Sequence, residues 1–489
     1  MAENKWNSNL TFILAMIGSA VGLGNIWRYP YVLYSNGGGS FYIPYITAIL
    51  VLGIPFLILE YGIGNNFKSS FAKTMRKINP KLEYLGWLIP VVIFMMATYY
   101  TVILGWDGIY FILSFFKGWG SDPNTYLTTA IIPDASSYTG LGNFLPAVGA
   151  AALIGWIIYW IISHRNLEAG IGKISRILVP TLFAITIIIV LFELSLPGSS
   201  IGLKELFKPD WSLLYDFKIW IAAFGQVIFS LNVGLSMAYT YASYLNDDSD
   251  LITNSLTVAL ANSLFENFCA LGVFSVLGHM SLESGIPVDD LVSQGTGLIF
   301  VTIPTALNAA GQYSYIIGPL FFFSVYIAGI TTVMAVLEPI SFSIQNKFGI
   351  TRKRSVTILT CIAAIGSMIY ATSFGGDLIG YTDTFTNEIV LIFAVILECI
   401  AFTWIFKSDF LIDSLNSKSK SIKINRGWLF IIKYILPIIL LIVGIGVLIS
   451  IAGTWTTIQL YVTVILAVIL LTATLILTLI PARNPKFNE

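Results

Sequence analysis

The sequence predicts an all-α integral membrane protein with twelve transmembrane helices. Of its 489 residues, 56% are hydrophobic and only 11% are charged, whereas a soluble domain is nearer a quarter charged. The mean hydropathy is +0.82. Apolar stretches of about 20 residues, the length that an α-helix needs to cross the hydrocarbon core, recur along the whole chain. Together these observations indicate a chain that folds in a bilayer.

The apolar stretches give twelve predicted spans, numbered below in chain order. They cover residues 10–34, 41–64, 84–116, 144–163, 171–196, 217–244, 252–280, 311–345, 355–373, 384–407, 428–452 and 456–480. The first apolar run follows MAENKWNSN, which has no basic region and leads to no small-residue cleavage site. We therefore expect no cleaved signal peptide.

Lysine and arginine are concentrated in the loops after the second, fourth, eighth and tenth spans. They are Lys68, Lys73, Arg76, Lys77 and Lys81, then Arg165, Lys173 and Arg176, then Lys347, Arg352, Lys353 and Arg354, and last Lys407, Lys418, Lys420, Lys423 and Arg426. Cytoplasmic loops are enriched in basic residues, so these loops are predicted to be cytoplasmic. This places a multi-pass protein in the cell membrane with both termini in the cytoplasm.

The composition argues against several other functions. The formal net charge is zero, which gives no reason to expect nucleic acid as a partner. The three cysteines lack metal-binding or disulfide spacing, and two histidines are too few to suggest a zinc or catalytic centre. The acidic residues within the spans are scattered, so an enzyme is not predicted. They are Glu60, Asp107, Glu193, Glu266, Glu338, Glu388 and Glu398.

The stretch GSAVGLGNIWRYP, Gly18–Pro30, is unusual for the middle of a span because it is rich in glycine and polar residues. Irregular backbone at membrane depth survives only where protein or a water-filled cavity surrounds it. A helix broken here would expose carbonyls, which suit a cation, and a helix N-terminus, which suits a carboxylate. The alternative is close helix packing through Gly18 and Gly22, which have the small-xxx-small spacing.

The sixth span contains a similar interruption. Its centre, NVGLS (Asn232–Ser236), resembles AVGLG (Ala20–Gly24) of the first span. Two interrupted spans, five apart, predict two inverted five-helix repeats at 10–196 and 217–407 within a single transporter domain, 1–489. The two additional helices follow at 428–480. Broken helices at matching positions of inverted repeats indicate a transporter site near the bilayer midplane.

The chain resembles the neurotransmitter:sodium symporter family. The motifs that carry the resemblance are GSAVGLGNIWRYP, NGGGSFYIPY (Asn36–Tyr45), TYYTV in the third span, GQVIFSLNVGLS in the sixth, ANSLFE in the seventh and YIAGITTVMAVLEP in the eighth. They follow the family's order through the first eight spans. The resemblance implies a sodium-coupled symporter that imports an amino acid by alternating access, with the bilayer, sodium ions and the amino acid as its partners.

The resemblance implies two sodium sites. The first would use the Ala20 carbonyl, the side chains of Asn25 and Asn262, the hydroxyl and carbonyl of Ser230, and the substrate carboxylate. The second would use the carbonyls of Gly18, Val21 and Ala328 and the hydroxyls of Thr331 and Thr332. Neutral oxygen ligands suit an alkali cation. For the two threonines, hydrogen bonding to their own helix is the alternative.

Glu266 lies four residues after Asn262, on the same helical face. Family members that need chloride typically have a neutral residue at the matching position. The resemblance therefore implies that the Glu266 carboxylate replaces the anion and that transport is chloride-independent. Proton counter-transport through this carboxylate is a further possibility, and a structural glutamate is the alternative.

The resemblance also implies a substrate pocket. It would be lined by Ser19, Ala20, Gly22, Leu23, Gly24, Met96, Tyr100, Phe229, Ser230, Asn232, Leu235, Thr332 and Val336. The Tyr100 hydroxyl and the N–H groups of Leu23 and Gly24 would hold the substrate carboxylate, and carbonyls near Phe229 and Ser230 would hold its ammonium.

The identity of the substrate is predicted from five positions. Monoamine carriers of the family have an aspartate where this chain has Gly22, so we expect an amino acid. Met96, Leu235 and Val336 favour a hydrophobic side chain. One methylene in such a pocket discriminates by only about 1–3 kcal/mol. Asn232 leaves open an aromatic substrate with a hydroxyl or ring N–H, or a small polar amino acid.

The gates match the family in part. Arg28 and Asp383 resemble the extracellular ion pair that closes over the pocket, and Tyr100 and Phe229 resemble the lid beneath it. At the cytoplasmic gate, Glu3 replaces the family's arginine and Asn346 its aspartate. Alignment places Lys5, Trp6, Gln226 and Tyr244 nearby. The altered inner gate leaves one alternative function, a non-transporting amino-acid sensor with the same pocket.

Overall fold

The computed structural model describes residues 5–133, 142–293, 295–406, 408–420 and 422–488. Throughout these ranges every regular element is a helix, and the β contact found there is one isolated bridge between Phe144 and Thr372. The prediction of an all-α protein is therefore confirmed.

Helices underlie all twelve predicted spans. In the described ranges, nine of them are long and apolar enough to cross a membrane. These nine are Gly38–Phe67, Pro80–Ser114, Pro146–Ser163, Glu168–Leu194, Leu251–Ser284, Gly311–Phe348, Gly375–Ile405, Arg426–Ile451 and Thr457–Leu479. The ninth predicted span is the shorter helix Arg352–Ser367, which is extended by one 3₁₀ turn at Met368–Tyr370.

The first and sixth spans are broken, as the sequence predicts. The first consists of Asn9–Ala20 and Leu23–Ser35, which meet at an angle of 55°. The sixth consists of Phe217–Ser230 and Met237–Ser243. Each break leaves backbone groups without partners in the helix, and both breaks are enclosed by other spans.

Short helices occupy several predicted loops. They include Phe71–Ile78, Ser199–Phe207, Leu298–Thr302 with Ile303–Ala309, and Phe410–Lys418. The segment Leu298–Ala309 is apolar, and the loop just before it reaches the cavity described below.

The third and eighth spans form the centre of the molecule, and the last two lie at its periphery. Within their most apolar windows, 72% of residues in Pro80–Ser114 and 83% in Gly311–Phe348 are buried. The corresponding shares are 22% for Arg426–Ile451 and 17% for Thr457–Leu479. Because the last two helices are apolar and largely exposed, they present their apolar surface to lipid.

Candidate functional site at the two helix breaks

The first break is shaped around Gly22. The helix ends at Ala20, and the Gly22 N–H donates to Asn25 Oδ1 at 3.0 Å, which starts the second half. A Cβ on Gly22 would lie 3.0 Å from Thr332 Oγ1 and 3.2 Å from the Tyr100 hydroxyl. The absence of a side chain therefore lets the third and eighth spans approach the break closely.

The second break lies against the first. Asn232, Gly234 and Ser236 adopt left-handed backbone conformations, with φ of 52°, 74° and 53°. The Asn232 side-chain amide donates to the Ser19 carbonyl at 2.6 Å. This hydrogen bond joins the two breaks, and it gives a partner to a backbone carbonyl at the end of the first half-helix.

A cavity of about 460 Å³ opens beside the breaks. It is lined by the predicted residues Ser19, Ala20, Gly22, Leu23, Gly24, Met96, Tyr100, Phe229, Asn232, Thr332 and Val336. Ser230 and Leu235, also predicted, do not line it. Both are buried, Ser230 behind the cavity and Leu235 in the hydrophobic core. Leu235 was expected in the apolar wall, but the left-handed residues on either side redirect the chain.

The cavity also has lining residues outside the predicted substrate pocket. Three of them, Asn25, Arg28 and Asp383, were assigned other roles from the sequence. The others are Trp27, Ala97, Tyr99, Ile103, Trp106, Ile132, Gly295, Thr296, Val333, Gly376, Asp377, Ile379, Gly380, Asn387 and Glu388. Ile103 follows Met96 by two helical turns and could have been found from that spacing. The loop residues Gly295 and Thr296 carry no such signal.

Three predicted ligands of the first sodium ion form one hydrogen-bonded cluster. The Asn25 side-chain amide donates to Asn262 Oδ1 at 2.8 Å, and the Asn262 amide donates to Ser230 Oγ at 3.2 Å. The Asn25 amide also lies 3.3 Å from Glu266 Oε2. The cluster combines neutral oxygens with one buried carboxylate, a donor set that suits a monovalent cation.

Glu266 is fully buried and held by side-chain donors. Its oxygens accept hydrogen bonds from the Tyr45 hydroxyl, from Gln226 Nε2 at 3.1 Å and from Asn25. Gln226 was expected at the cytoplasmic gate. It lies instead in the half of the sixth span before the break, beside Glu266.

Four of the five predicted ligands of the second sodium ion, Gly18, Ala328, Thr331 and Thr332, also lie together. The hydroxyls of Thr331 and Thr332 each donate to the Ala328 carbonyl at 3.0 Å, and a Cβ on Gly18 would lie 3.3 Å from Thr331 Cβ. Both threonines thus bond to their own helix. A hydroxyl that donates one hydrogen bond still has lone pairs, so this arrangement orients the oxygens without removing them as ligands.

The Sodium:neurotransmitter symporter family model matches residues 3–144 and 136–483. The chain belongs to this family. An uncharacterized sodium-dependent transporter of Methanocaldococcus jannaschii is 38% identical over 440 residues, 90% of this chain and 89% of the relative. A creatine transporter of Torpedo marmorata is 28% identical and shares 84% of this chain and 73% of its own length.

A solved structure has the same fold. The crystal structure of MhsT in complex with L-phenylalanine aligns with a TM-score of 0.77 at 26% identity, over 91% of this chain and 99% of that one. The protein is thus a multi-pass, sodium-coupled transporter and not an enzyme, as predicted.

In this symporter Arg28 and Asp383, the predicted outer ion pair, line the same cavity, but each has another partner. Asp383 accepts hydrogen bonds at 2.7 Å from the Tyr99 hydroxyl and from the Asn387 amide. The Arg28 guanidinium lies 4.6 Å from the centroid of the Phe229 ring. Within the described ranges, no ion pair joins Arg28 to Asp383. We call this side of the breaks the Arg28 end.

The opposite side, which we call the Trp6 end, is closed by a buried ion pair. Both nitrogens of the Arg352 guanidinium fork bond to Glu338, at 2.5 and 2.8 Å, and the Tyr244 hydroxyl bonds to the same carboxylate at 2.9 Å. Trp6 is 2% exposed and donates its indole N–H to the Tyr241 carbonyl at 2.8 Å. Neither Glu338 nor Arg352 was predicted as a gate residue, although a carboxylate within a span is itself such a signal.

Of the two residues that depart from the family's inner gate, Glu3 and Asn346, the structure describes Asn346. Asn346 accepts a hydrogen bond from the Ser70 N–H at 3.3 Å. Lys5, Tyr244 and Asn346 line a second cavity of about 810 Å³ at the Trp6 end. Glu3 lies outside the described residues.

The last described residues also pack against the Trp6 end. Phe487 is 1% exposed and contacts Trp87 of the third span. The cations of Arg76 and Lys347 lie 5.9 and 5.6 Å from the centroid of the Phe487 ring. Lys347, itself buried, pairs with Glu83 at 2.7 Å. The C-terminal segment therefore joins the third and eighth spans to the loop helix Phe71–Ile78.

Proposed function

We propose that this protein imports an amino acid together with sodium by alternating access and does not require chloride. The observation that carries the proposal is the pair of helix breaks, joined through Asn232 and lying beside a cavity, with neutral oxygen atoms around them. Substrate and sodium would share one site, so each would raise the affinity for the other.

We propose two sodium ions as co-substrates. One would bind at Asn25, Asn262, Ser230 and the Ala20 carbonyl, and the other at Thr331, Thr332 and the carbonyls of Gly18, Val21 and Ala328. In the proposed cycle the repeats 10–196 and 217–407 rearrange around these sites. Both termini would be cytoplasmic, so the Arg28 end would face outward.

An amino acid suits the pocket because its carboxylate would meet ready donors. The Leu23 N–H lies 3.3 Å from the Tyr100 hydroxyl, and both would face a carboxylate at the helix N-terminus. The crowding around Gly22 leaves no room for an acidic side chain that could pair with an amine. Met96 and Val336 favour a hydrophobic or aromatic side chain, and MhsT was crystallised with L-phenylalanine.

A thermal-shift screen of the purified protein tests the substrate class. The twenty amino acids, taurine and simple amines are compared in sodium and in potassium. A ligand at a hundred times its dissociation constant stabilises the native state by about 2.7 kcal/mol. An amino-acid shift confined to sodium supports the proposal, and shifts with amines alone contradict it. Binding without uptake into proteoliposomes would indicate the sensor instead.

Asn25→Ala tests the first sodium site. We expect the sodium concentration for half-maximal substrate binding to rise at least about tenfold, because a lost oxygen ligand costs roughly 1–3 kcal/mol. Asn254→Ala is the matched control, since Asn254 pairs with Asn9 between the same two spans at 2.8 Å but far from the breaks. Equal sodium dependence in both variants would refute the assignment.

Glu266→Gln tests chloride independence. Wild-type uptake should be the same in chloride and in gluconate, and the variant should need chloride because its carboxylate charge is gone. Loss of wild-type uptake in gluconate would contradict this part of the proposal while leaving sodium coupling intact.

A further inference from the structure

Two acidic residues that are far apart in the sequence lie on spans that pack against the break of the sixth span, close enough to interact electrostatically. Glu60 belongs to the second span and Glu398 to the tenth, and both side chains are fully buried. Gly234 contacts both of these spans. Its N–H donates to Glu60 Oε2 at 3.4 Å, and a Cβ at Gly234 would overlap Val395. Val395 precedes Glu398 by three residues, so the two share a helical face.

The Glu60–Glu398 pair contains buried oxygens without a partner. Glu60 Oε1 and both carboxyl oxygens of Glu398 have no hydrogen-bond partner among the described residues. The hydroxyls of Ser236 and Thr240, one helical turn apart at the same break, are also buried and unpartnered. Buried carboxyl oxygens without a partner need a donor, and a proton on one carboxyl group would supply it to the other.

No cation of the described chain neutralises the pair. No lysine or arginine there lies within ion-pair distance of Glu60 or Glu398. The other titratable groups that interact with them are Tyr61, Tyr239 and Cys399, from the second, sixth and tenth spans. Two neighbouring carboxylates cannot both stay ionised in such surroundings, because each charge would lack solvent and counter-charge.

We propose that Glu60 and Glu398 form a proton-binding site, separate from the sodium sites, in which Glu398 carries the proton and donates it to Glu60 Oε1. Glu60 is the ionised partner because the Gly234 N–H supports its negative charge. Glu398 has no such donor. The shared proton then links the second and tenth spans at the break of the sixth span.

The site differs from Glu266 in its surroundings and its consequence. Glu266 accepts three side-chain hydrogen bonds and adjoins a predicted sodium ligand. The Glu60–Glu398 pair adjoins none of the predicted sodium ligands and does not line the cavity. Its proton should therefore be retained in sodium and in potassium alike.

Infrared difference spectroscopy of the full-length protein in lipid nanodiscs tests the proposal without any transport assay. At neutral pH, Glu398→Gln should remove one protonated-carboxyl C=O signal per chain relative to the wild type. The glutamine amide introduced at position 398 can still donate a hydrogen bond to Glu60, so the variant should fold. Glu60→Gln should retain that signal at a different frequency, because the protonated Glu398 carboxyl group then lacks a carboxylate as its hydrogen-bond acceptor. Glu283→Gln, at the exposed end of the seventh span, is the control and should change nothing.

Three results would overturn the proposal. One is an unchanged carboxyl region in Glu398→Gln, which would mean that this group is ionised. Another is loss of the wild-type signal on adding sodium, which would make the pair a cation site. If Glu398→Gln does not fold, Glu60→Gln decides alone, and an unshifted carboxyl signal there refutes the shared proton.

Discussion

The two ends of the cavity hold similar charged groups in opposite arrangements. At the Trp6 end, the guanidinium of Arg352 and the carboxylate of Glu338 meet directly, and both residues are buried. At the Arg28 end, Arg28 and Asp383 line one cavity, but each has another partner. Asp377 and Gly380, beside them, are exposed.

The difference shows where this conformation is closed. A buried ion pair is stable only when its remaining hydrogen-bonding groups are satisfied, and Arg352 achieves this by also donating to the Ser163 and Arg165 carbonyls. The groups at the Arg28 end remain accessible to water and need no mutual contact. The cavity is therefore sealed toward Trp6 and reachable from the Arg28 end.

Breaking the closed end should have the largest effect. Arg352→Met leaves the Glu338 carboxylate buried and uncompensated, which costs about 3–5 kcal/mol. We expect a large fall in the thermal unfolding temperature in nanodiscs and loss of uptake.

The double variant Glu338→Met with Arg352→Met is the matched control. Stability should largely return, because apolar residues of similar volume can replace a buried ion pair. Uptake should remain impaired if the pair is a gate. A double variant as unstable as Arg352→Met would show that the charges are not coupled.

Removing the C-terminal contact should have an intermediate effect. Phe487→Ala removes a ring that is buried between the third span and two cations. We expect a loss of about 2 kcal/mol, below the roughly 3–5 kcal/mol of an enclosed core phenylalanine, because a terminal segment can relax. Thermal unfolding measures the loss. Phe116→Ala, at a ring that is 61% exposed, should change stability by less than about 0.5 kcal/mol.

The smallest effect is expected at the open end. Arg28→Lys weakens the contact with the Phe229 ring, which is worth about 0.5–1 kcal/mol when partly exposed. Substrate release should accelerate only a few-fold, measured by displacement of radiolabelled substrate.

A double-mutant cycle with Asp383→Asn then sharpens the comparison of the two ends. Coupling between Arg28 and Asp383 should be near zero without substrate and measurable with it, if closure brings them together. Equal coupling in both states would mean that the pair has no part in closing this end.

Much of the fold could be predicted because membrane insertion depends on local composition. The twelve spans and the breaks at Gly18–Pro30 and Asn232–Ser236 follow from hydropathy and from residues that weaken helices. The family motifs also named Asn25, Asn262 and Ser230, which the structure brings together. Their role as sodium ligands remains a prediction.

Other features depended on the tertiary structure. Leu235 points into the core because three left-handed residues redirect the backbone, and helical periodicity does not apply there. Gly295 and Thr296 reach the cavity from a loop whose path is set by packing.

The sequence by itself therefore determined which segments are apolar enough to cross the membrane, where two of them break and which oxygen-bearing side chains lie at the breaks. Each of these is a property of neighbouring residues. Only the tertiary structure decided which charged side chains meet. It paired Glu338 with Arg352, gave Arg28 and Asp383 other partners, and brought the spans of Glu60 and Glu398, more than 300 residues apart, to the same helix break. The physical reason is that charge pairing depends on the distance between side chains in space, which packing sets.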